Sequence, residues 1–189
     1  MGKLKKVPSR IVRSCILKIG YINTPIYMRL YLRWLKKHGM RFTGKPKWIA
    51  NDVYFDGSDY SLITIGEGCT ISRETMLLTH DYSVHTVLPE LSNKVDENSY
   101  ARLQVWDRQN KALIQRRIII GNHSFVGARA SLLPGTHIGN NCIVGAGAVV
   151  RGYVPDNTIV MGNPAVIYKS TSEWLVDKSN KIKIQDEKE

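Results

Sequence analysis

A six-residue repeat runs along the chain from residue 120 and restricts the possible folds more than any other feature of the sequence. The hexads read IGNHSF, VGARAS, LLPGTH, IGNNCI, VGAGAV and VRGYVP. The first position is always Ile, Val or Leu, four of the six second positions are glycine, and the fifth is small in the first five hexads. An α-helix has 3.6 residues per turn and does not produce this period. Hexapeptide repeats are typical of a parallel β-helix, with one short strand and one turn per hexad. The sequence therefore predicts an all-β solenoid, with the aliphatic residue inside and the glycine at a tight corner.

An earlier block follows the same rule but is out of phase with the first. Its hexads IGEGCT, ISRETM and LLTHDY are led by Ile65, Ile71 and Leu77. The distance from the last of these residues to Ile120 is not a multiple of six. The segment between the blocks, about residues 82–117, has no repeat and contains Pro89. It carries the basic residues Lys94, Arg102, Arg108, Lys111, Arg116 and Arg117. We expect one long inserted loop here, and such loops on rigid scaffolds commonly carry binding groups.

The positive charge of the chain is concentrated near its N-terminus. Residues 1–51 hold 13 of the 27 Lys and Arg residues and no acidic residue, so the formal net charge of +11 originates there. Within this region Thr24 is a suitable N-cap, Pro25 suits the first helical position, and Gly39 can end a helix. The expected helix has an aromatic face and a basic face, formed by Tyr27, Leu30, Tyr31 and Trp34 and by Arg29, Arg33 and Lys36.

Two alternatives account for this basic amphipathic helix. It either packs on the domain with its charges solvated, or it makes a peripheral contact with an anionic membrane surface. No recognised nucleic-acid-binding motif accompanies it, so we expect no nucleic acid as a partner. Eighteen apolar residues never follow one another, and no small-residue cleavage site follows the basic start. Three scattered cysteines fit a reducing compartment. The sequence therefore predicts a cytoplasmic protein, with the inner face of the cell membrane as the surface for any peripheral contact.

Three parts of the chain follow from these patterns. Residues 1–47 form a basic N-terminal helical arm, residues 48–169 a β-helix domain, and residues 170–189 a charged C-terminal tail.

The segment from Ile120 to Lys169 resembles the C-terminal half of the hexapeptide-repeat acyltransferases. The similarity covers about residues 49–169, and its most specific motifs are Pro134-Gly135 and the Gly-Asn-Pro-Ala stretch Gly162–Ala165. Within this family the chain resembles the maltose and galactoside O-acetyltransferases and the sugar O-acetyltransferases of surface-polysaccharide pathways. The resemblance implies a left-handed parallel β-helix with three hexads per coil, a homotrimer, and acetyl-CoA as the acyl donor. It also implies transfer of an acetyl group to a hydroxyl of a sugar or surface-polysaccharide precursor.

Two alanines mark the expected donor site. With three hexads per coil, Ala128 and Ala146 are one coil apart and share a corner, about 4.8 Å from each other. Their small side chains expose backbone groups to the amide-rich pantetheine arm of coenzyme A. The resemblance implies that the backbones of Gly127, Ala128 and Ala146 contact this arm or the thioester. It further implies that Arg151 and Lys169 meet the nucleotide phosphates. An alternative is that glycine and alanine are present only because the turn requires small residues. That interpretation does not explain the Gly-Asn-Pro-Ala stretch.

Thr79-His80 resembles the context of the catalytic histidine of the family, on the N-terminal block ahead of a loop. A sugar hydroxyl is a poor nucleophile near neutral pH, and an imidazole with an ordinary pKa of about 6.5 suits a general base. The resemblance implies that His80 takes the hydroxyl proton while backbone N–H groups stabilise the oxyanion. No acyl-enzyme is required, and Cys69 and Cys142 are predicted to be core residues.

Contacts to the acceptor are expected on both sides of the first regular block. Asn51, Asp56 and Asp59 lie where the family gathers substrate carboxylates and amides. His85 is either an acceptor contact or a solvated loop residue. His123 and His137 occupy turn positions and are expected to be exposed.

Other functions fit parts of the sequence. A xenobiotic (antibiotic) O-acetyltransferase shares the long loop after the first coils. Gamma-class carbonic anhydrases use the same fold and hold zinc with three histidines across a trimer interface, for which His80, His85 and His123 are the candidates. Their histidine pair lies within regular coils, whereas His85 enters the loop, and the coenzyme A corner would be unexplained. We therefore expect no metal. A non-catalytic β-helix scaffold is a further alternative.

Overall fold

The chain begins with two helices and then enters a coil of short strands. The computed structural model describes residues 8–56, 59–91, 94–109 and 114–186. The helices are α1 (Ser9–Ile19) and α2 (Thr24–Lys37). Two coils follow, built from β1 (Arg41–Phe42), β2 (Trp48–Ile49), β3 (Tyr54–Phe55), β4 (Ile63–Ile65), β5 (Thr70–Ile71) and β6 (Met76–Leu77). A 3-10 helix at Tyr60–Leu62 connects them.

An insertion separates these coils from the later ones. It contains β7 (His80–Asp81), α3 (Ser83–Val87), a 3-10 helix (Pro89–Leu91), α4 (Glu97–Gln109) and β8 (Ile114–Gln115). The coil resumes with β9 (Ile118–Ile120), β10 (Phe125–Val126), β11 (Ser131–Leu132), β12 (His137–Ile138), β13 (Ile143–Val144), β14 (Val149–Val150) and β15 (Tyr153–Val154). The last elements are β16 (Thr158–Gly162), β17 (Ala165–Ser170) and α5 (Thr171–Asp186).

The strands stack into three sheets, which form the faces of a parallel β-helix. Sheet A has the order β1-β4-β9-β12-β15, sheet B the order β2-β5-β10-β13-β16-β17, and sheet C the order β3-β6-β11-β14. Within these three sheets the strand pairs are parallel, except that β17 runs antiparallel to β16. The chain passes from sheet A to B to C and back to A. We call the three corners edge AB, edge BC and edge CA.

The strand register confirms three hexads per coil. Ser131 on β11 pairs with Val149 on β14, three hexads further along the chain. Ser131 also pairs with Met76 on β6, before the insertion, so the whole insertion leaves and rejoins a single coil at edge CA. The first coil is longer than three hexads as well, because Phe55 pairs with Leu77.

The interior of the β-helix contains the residues that the repeat predicts. The leading residues of the hexads are at most 2% exposed: Ile65, Ile71, Leu77, Ile120, Val126, Leu132, Ile138, Val144 and Val150. The small fifth-position residues are buried as well: Cys69, Thr75, Ser124, Ala130, Thr136, Cys142 and Ala148. A polar side chain at this position donates a hydrogen bond to a carbonyl of the next coil, as the Ser124 hydroxyl does to Gly139 O at 2.8 Å. Each buried aliphatic side chain stabilises the stack by roughly 1.5–3 kcal/mol.

Glycine at the second hexad position permits close approach between coils, which differs from the tight-corner role expected. A Cβ atom on Gly121 would lie 2.6 Å from the backbone of Gly139 in the next coil. The left-handed backbone falls instead on the fourth position, where φ is 54° at His123 and 61° at Arg129. The same conformation recurs at Gly68, Glu74, Gly135, Asn141 and Gly147. The repeat did not reveal this position because its residue types vary.

Gly121→Ala is expected to destabilise the protein by about 1–3 kcal/mol, because the added methyl group overlaps the backbone of the next coil. Urea unfolding of the purified variant measures the change. Ser72→Ala is the matched control, since Ser72 is at the same hexad position and already carries a Cβ atom. The free energy of unfolding of this control should stay within about 0.5 kcal/mol of that of the unmodified protein. Equal effects in the two variants would contradict the close-approach explanation.

The N-terminal helices cover the open end of the β-helix. Tyr27, Tyr31 and Trp34 of α2 are buried, and the Tyr27 hydroxyl donates to Ile49 O in the first coil at 2.9 Å. Burial raises the pKa of Tyr31 to about 12. The aromatic face of α2 therefore packs on the domain, which is the first of the two alternatives for this helix.

The ends of α2 differ slightly from those expected. Asn23, not Thr24, is the N-cap, and its side-chain oxygen accepts from Ile26 N at 3.0 Å. Gly39 follows the helix with a φ of 104°. In the described ranges no helix is both long and apolar enough to cross a membrane.

The C-terminal segment and the insertion contain more regular structure than expected. Helix α5 occupies much of the predicted charged tail, and its Trp174 and Leu175 share a pocket with Phe125 on sheet B. The predicted loop contains two helices and the antiparallel β7–β8 pair. Lys111 of that loop lies outside the described residues.

Candidate active site

His80 and Asp56 form a close pair at edge CA. Asp56 follows β3, and His80 lies on β7, directly after the β6 strand that pairs with β3. The Nδ1 atom of His80 is 2.8 Å from Oδ2 of Asp56. The Asp56 side chain is only 5% exposed, whereas that of His80 is 28% exposed. A fixed carboxylate thus lies behind an imidazole that solvent reaches.

The carboxylate of Asp56 is fully occupied by its neighbours. Oδ1 accepts hydrogen bonds from the Thr79 backbone N–H (2.9 Å) and the Thr79 hydroxyl (2.8 Å), and Oδ2 accepts from the His80 N–H (3.4 Å). Both oxygens of Asp56, an expected acceptor contact, thus hold the Thr79–His80 segment in this structure. A carboxylate at Nδ1 favours the tautomer with its proton on Nδ1 and a free lone pair on Nε2. That nitrogen is the one able to act as a base.

The insertion forms the surroundings of His80. Strand β8 returns beside β7, and the Arg116 N–H donates to Thr79 O at 2.9 Å. The ring of Tyr82 meets the His80 ring edge to face, with 5.4 Å between their centres. The Ser83 backbone N–H donates to the Asp81 carboxylate at 2.8 Å and, with the nearby Arg151 cation, lowers the Asp81 pKa. Arg151 therefore lies on the same edge as His80.

Ala128 and Ala146 lie one above the other at edge BC, as expected. Both are exposed, and they line a groove of about 610 Å³ together with Arg73, Glu74, Arg129 and Gly147. We call it the alanine groove. The Gly147 N–H donates to Ala128 O at 2.8 Å, which links the two coils. Within the described residues, the N–H groups of Ala128 and Ala146 donate to no protein atom. The two stacked residues that line the groove thus each carry a backbone N–H without an acceptor among the described residues.

Gly127, an expected cofactor contact, lies behind the alanine groove and bonds within the coils. It is buried, its N–H donates to Val144 O at 2.8 Å, and its carbonyl accepts from Ala130 N at 3.2 Å. A Cβ atom here would lie 2.6 Å from Ala146 N. Its backbone is therefore used within the coil, and the missing side chain lets the coils approach.

The two expected phosphate contacts lie apart from each other. Arg151 is at edge CA, whereas Lys169 is on β17 at the end of sheet B. The Lys169 Nζ atom is 2.5 Å from Oδ2 of Asp177 on α5 and lies over the Tyr168 ring. The chain alone therefore does not gather these two cations into one phosphate site.

Two of the remaining acceptor candidates hold other parts of the structure. The Asn51 amide donates to Leu17 O at 3.2 Å and ties α1 to the first coil. The Asp59 carboxylate accepts from Ser61 N at 2.9 Å, which lowers the Asp59 pKa and caps a 3-10 helix. The third candidate, His85, is exposed on α3.

His123 is exposed at edge AB, where it lies against Gly68, and is thus on another edge of the β-helix than His80. Among the residues that the structure describes, no group of three or more His, Cys, Asp or Glu side chains is arranged to hold a metal ion.

The buried cysteines are core residues, as predicted. The Cys69 thiol donates to Gly121 O at 2.8 Å and the Cys142 thiol to Pro155 O at 2.9 Å. Burial raises the pKa of both thiols. Neither is placed to act as a nucleophile.

The pairing of Asp56 with His80 was missed in the sequence. These two residues come together only because the first coil, which brings Phe55 beside Leu77, is longer than the three hexads of the later coils. A period of six gives no signal for such a contact.

Comparison with known proteins shows similarity in sequence and in fold. Residues 117–152 match the family model described as bacterial transferase hexapeptide (six repeats). The chain is 44% identical over 117 residues to "Putative lipopolysaccharide biosynthesis O-acetyl transferase WbbJ" of Escherichia coli, which is 59% of this chain and 55% of that protein. It is 35% identical over 143 residues to Protein CapG of Staphylococcus aureus, 74% of this chain and 71% of CapG. A solved galactoside acetyltransferase in complex with coenzyme A has a TM-score of 0.53 at 20% identity, over 86% of this chain and 80% of that one, and shares the fold. This chain thus covers little more than half the length of the first of these relatives.

Proposed function

Since this chain belongs to the bacterial hexapeptide-repeat transferase family, we propose that it is an O-acetyltransferase that uses acetyl-CoA. The acetyl group passes directly to a hydroxyl of a sugar or surface-polysaccharide precursor, in the cytoplasm. The Asp56–His80 pair carries the proposal, because it presents a basic Nε2 atom at a partly exposed edge. The name of the Escherichia coli relative, a lipopolysaccharide biosynthesis O-acetyl transferase, supports the class of acceptor.

The proposed chemistry needs no protein nucleophile. Nε2 of His80 removes the proton of an acceptor hydroxyl as the hydroxyl oxygen attacks the thioester carbonyl carbon. The new C–O bond forms, the C–S bond then breaks, and the proton passes from His80 to the departing sulfur of coenzyme A. Asp56 holds the imidazole in place and stabilises the imidazolium between these steps.

The alanine groove is the proposed binding site for the donor. The free N–H groups of Ala128 and Ala146 suit the amide carbonyls of the pantetheine arm, since each carbonyl accepts a hydrogen bond. Arg151 and Lys169 are proposed to contact the phosphates of coenzyme A from different edges. Lys169 must then exchange Asp177 for a phosphate.

The proposed assembly is a homotrimer of left-handed β-helices with each active site between two subunits. His80 is at edge CA and the alanine groove is at edge BC, so sheet C separates them within one chain. They meet only if edges of two copies approach each other. Exposed apolar side chains on β17 and α5 support an interface, with Val166 at 63%, Ile167 at 64% and Leu175 at 60%.

A thiol-release assay tests the function. Purified protein is given acetyl-CoA together with sugars, nucleotide sugars, oligosaccharides or antibiotics, and free coenzyme A is measured. Release that depends on a saccharide acceptor, with an acetyl ester found in the product by mass spectrometry, is expected. If coenzyme A is released only when an antibiotic is present, the acceptor is an antibiotic and not a saccharide. If no acceptor raises the release of coenzyme A above the rate of acetyl-CoA hydrolysis, the proposal is contradicted.

Asp56→Asn is expected to lower kcat by at least about tenfold, less than removal of His80 itself, because the amide no longer fixes the imidazole tautomer. The KM for acetyl-CoA should stay unchanged, since the Asp56 carboxylate contacts Thr79 and His80 and does not line the alanine groove. Asp59→Asn is the matched control, a carboxylate that caps a turn without contacting His80. A kcat equal to that of the control would rule out the orienting role.

A further inference from the structure

The turn between the two N-terminal helices exposes apolar side chains at the end of the solenoid. A capping element normally presents a polar outer face to water. Here the turn between α1 and α2 exposes Tyr21 by 71% and Ile22 by 87%, and Ile26 in the first turn of α2 is 46% exposed. These side chains lie on the opposite side of α2 from the buried aromatic face or precede the helix, so the packing of the cap does not use them.

A groove with a basic rim adjoins this apolar turn. It has a volume of about 490 Å³ and lies between α2 and the segment that joins β1 to β2. Its lining residues are Thr24, Pro25, Met28, Arg29, Leu32, Lys45 and Lys47. Met28 and Leu32 supply an apolar floor, whereas the three cations are exposed at the rim. We call it the basic groove.

The cations of the basic groove have no counter-ion among the residues that the structure describes. Within the described parts of the chain, Arg29, Lys45 and Lys47 take part in no ion pair. Residues 1–51 contain no Asp or Glu, and Glu67, which packs against Gly44, forms no ion pair with either lysine. An anion at the rim would therefore meet three uncompensated charges.

We propose that the basic groove and the α1–α2 turn dock the protein on a bilayer that contains acidic phospholipids. The three cations contact lipid phosphates, and Tyr21, Ile22 and Ile26 enter the boundary between headgroups and acyl chains. A soluble phosphate would explain the cations but not the exposed apolar residues beside them. The contact uses the turn and the groove rim instead of the aromatic face of α2, which is buried in the domain.

Cosedimentation with vesicles tests this surface on the full chain, without any substrate. Binding is expected to vesicles of phosphatidylcholine with phosphatidylglycerol and not to phosphatidylcholine alone, and salt should weaken it. Each neutralised lysine should lower the partition coefficient about fivefold, so Lys45→Gln/Lys47→Gln should lower it about 25-fold. Ile22→Asp should lower it about tenfold. The control Lys178→Gln/Lys181→Gln removes the same charge from exposed positions on α5 and should change binding less than about twofold.

Three outcomes of this experiment would contradict the membrane-docking proposal. Equal losses in the groove and control variants would mean that net charge alone drives binding. Release by inorganic phosphate, beyond the effect of sodium chloride at the same ionic strength, would assign the groove to a soluble phosphate. Absence of vesicle binding would leave the turn without this role. Because the measurement needs neither acetyl-CoA nor an acceptor, its failure is independent of the proposed acetyl transfer. Circular dichroism of each variant confirms that the fold is retained.

Discussion

Replacement of His80 by alanine is expected to lower kcat about 100-fold or more, while the affinity for acetyl-CoA stays unchanged. His80 is the partly exposed imidazole whose Nδ1 is held by Asp56, so its loss removes the only base that the geometry orients among the described residues at edge CA. The alanine groove lies at edge BC and is not altered by the substitution. Steady-state kinetics give kcat, and isothermal titration calorimetry with coenzyme A gives the affinity.

Two control variants sharpen the test of His80. His137→Ala removes an exposed imidazole from sheet A and should leave kcat unchanged. His85→Ala removes the acceptor candidate on α3 and should cost less than His80→Ala. A loss at His85 equal to that at His80 would indicate a shared site or a metal. A His80→Ala enzyme with the turnover of the unmodified protein would refute the assignment of the base.

Ala146→Trp is expected to weaken acetyl-CoA binding about 100-fold or more, a free-energy change of about 2.7 kcal/mol. Ala146 is exposed and lines the alanine groove, so an indole there occupies the space that the proposed pantetheine arm needs. Since the side chain points out of the coil, the stack should tolerate it. Calorimetry measures the affinity, and light scattering of the eluted protein measures the assembly.

Tyr153→Trp is the matched control, because it places an indole on an exposed position of sheet A, 64% accessible and away from the groove. It should bind acetyl-CoA normally. Unchanged affinity in Ala146→Trp would place the cofactor elsewhere. Collapse of the oligomer in Ala146→Trp alone would mean that this corner is part of an interface or of the core.

The periodic part of the sequence was sufficient to predict the β-helix core. Ile120, Val126 and Leu132 recur at the same hexad position, and every coil repeats the same inward direction, so the period alone assigns them to the interior. The pairing of positions three hexads apart places Ala128 under Ala146 for the same reason. His80 was predicted to be the base because Thr79-His80 resembles the context of the family's histidine, and the structure leaves its ring partly exposed.

Contacts that form where the six-residue repeat is interrupted could not be predicted from the sequence. The first coil is longer than three hexads, so Asp56 reaches Thr79 and His80, a contact that the repeat did not predict. The insertion interrupts a single coil, and nothing in its composition indicated that β7 and β8 would pair at the base of the site. Gly127 is a different case. The sequence showed a small residue at the corner, but it did not show that the Gly127 N–H donates to Val144 O in the next coil.

The sequence by itself determined the coil, its interior and the one histidine at the mouth of the insertion, because a regular repeat transmits one local geometry from each hexad to the next. Only the tertiary structure decided which side chain orients that histidine, which face of the N-terminal helix pair stays exposed, and that His80 and the alanine groove lie on different edges. These features depend on the offset between coils and on packing between distant segments. Such contacts are set by the three-dimensional path of the chain, and a local periodicity does not encode them.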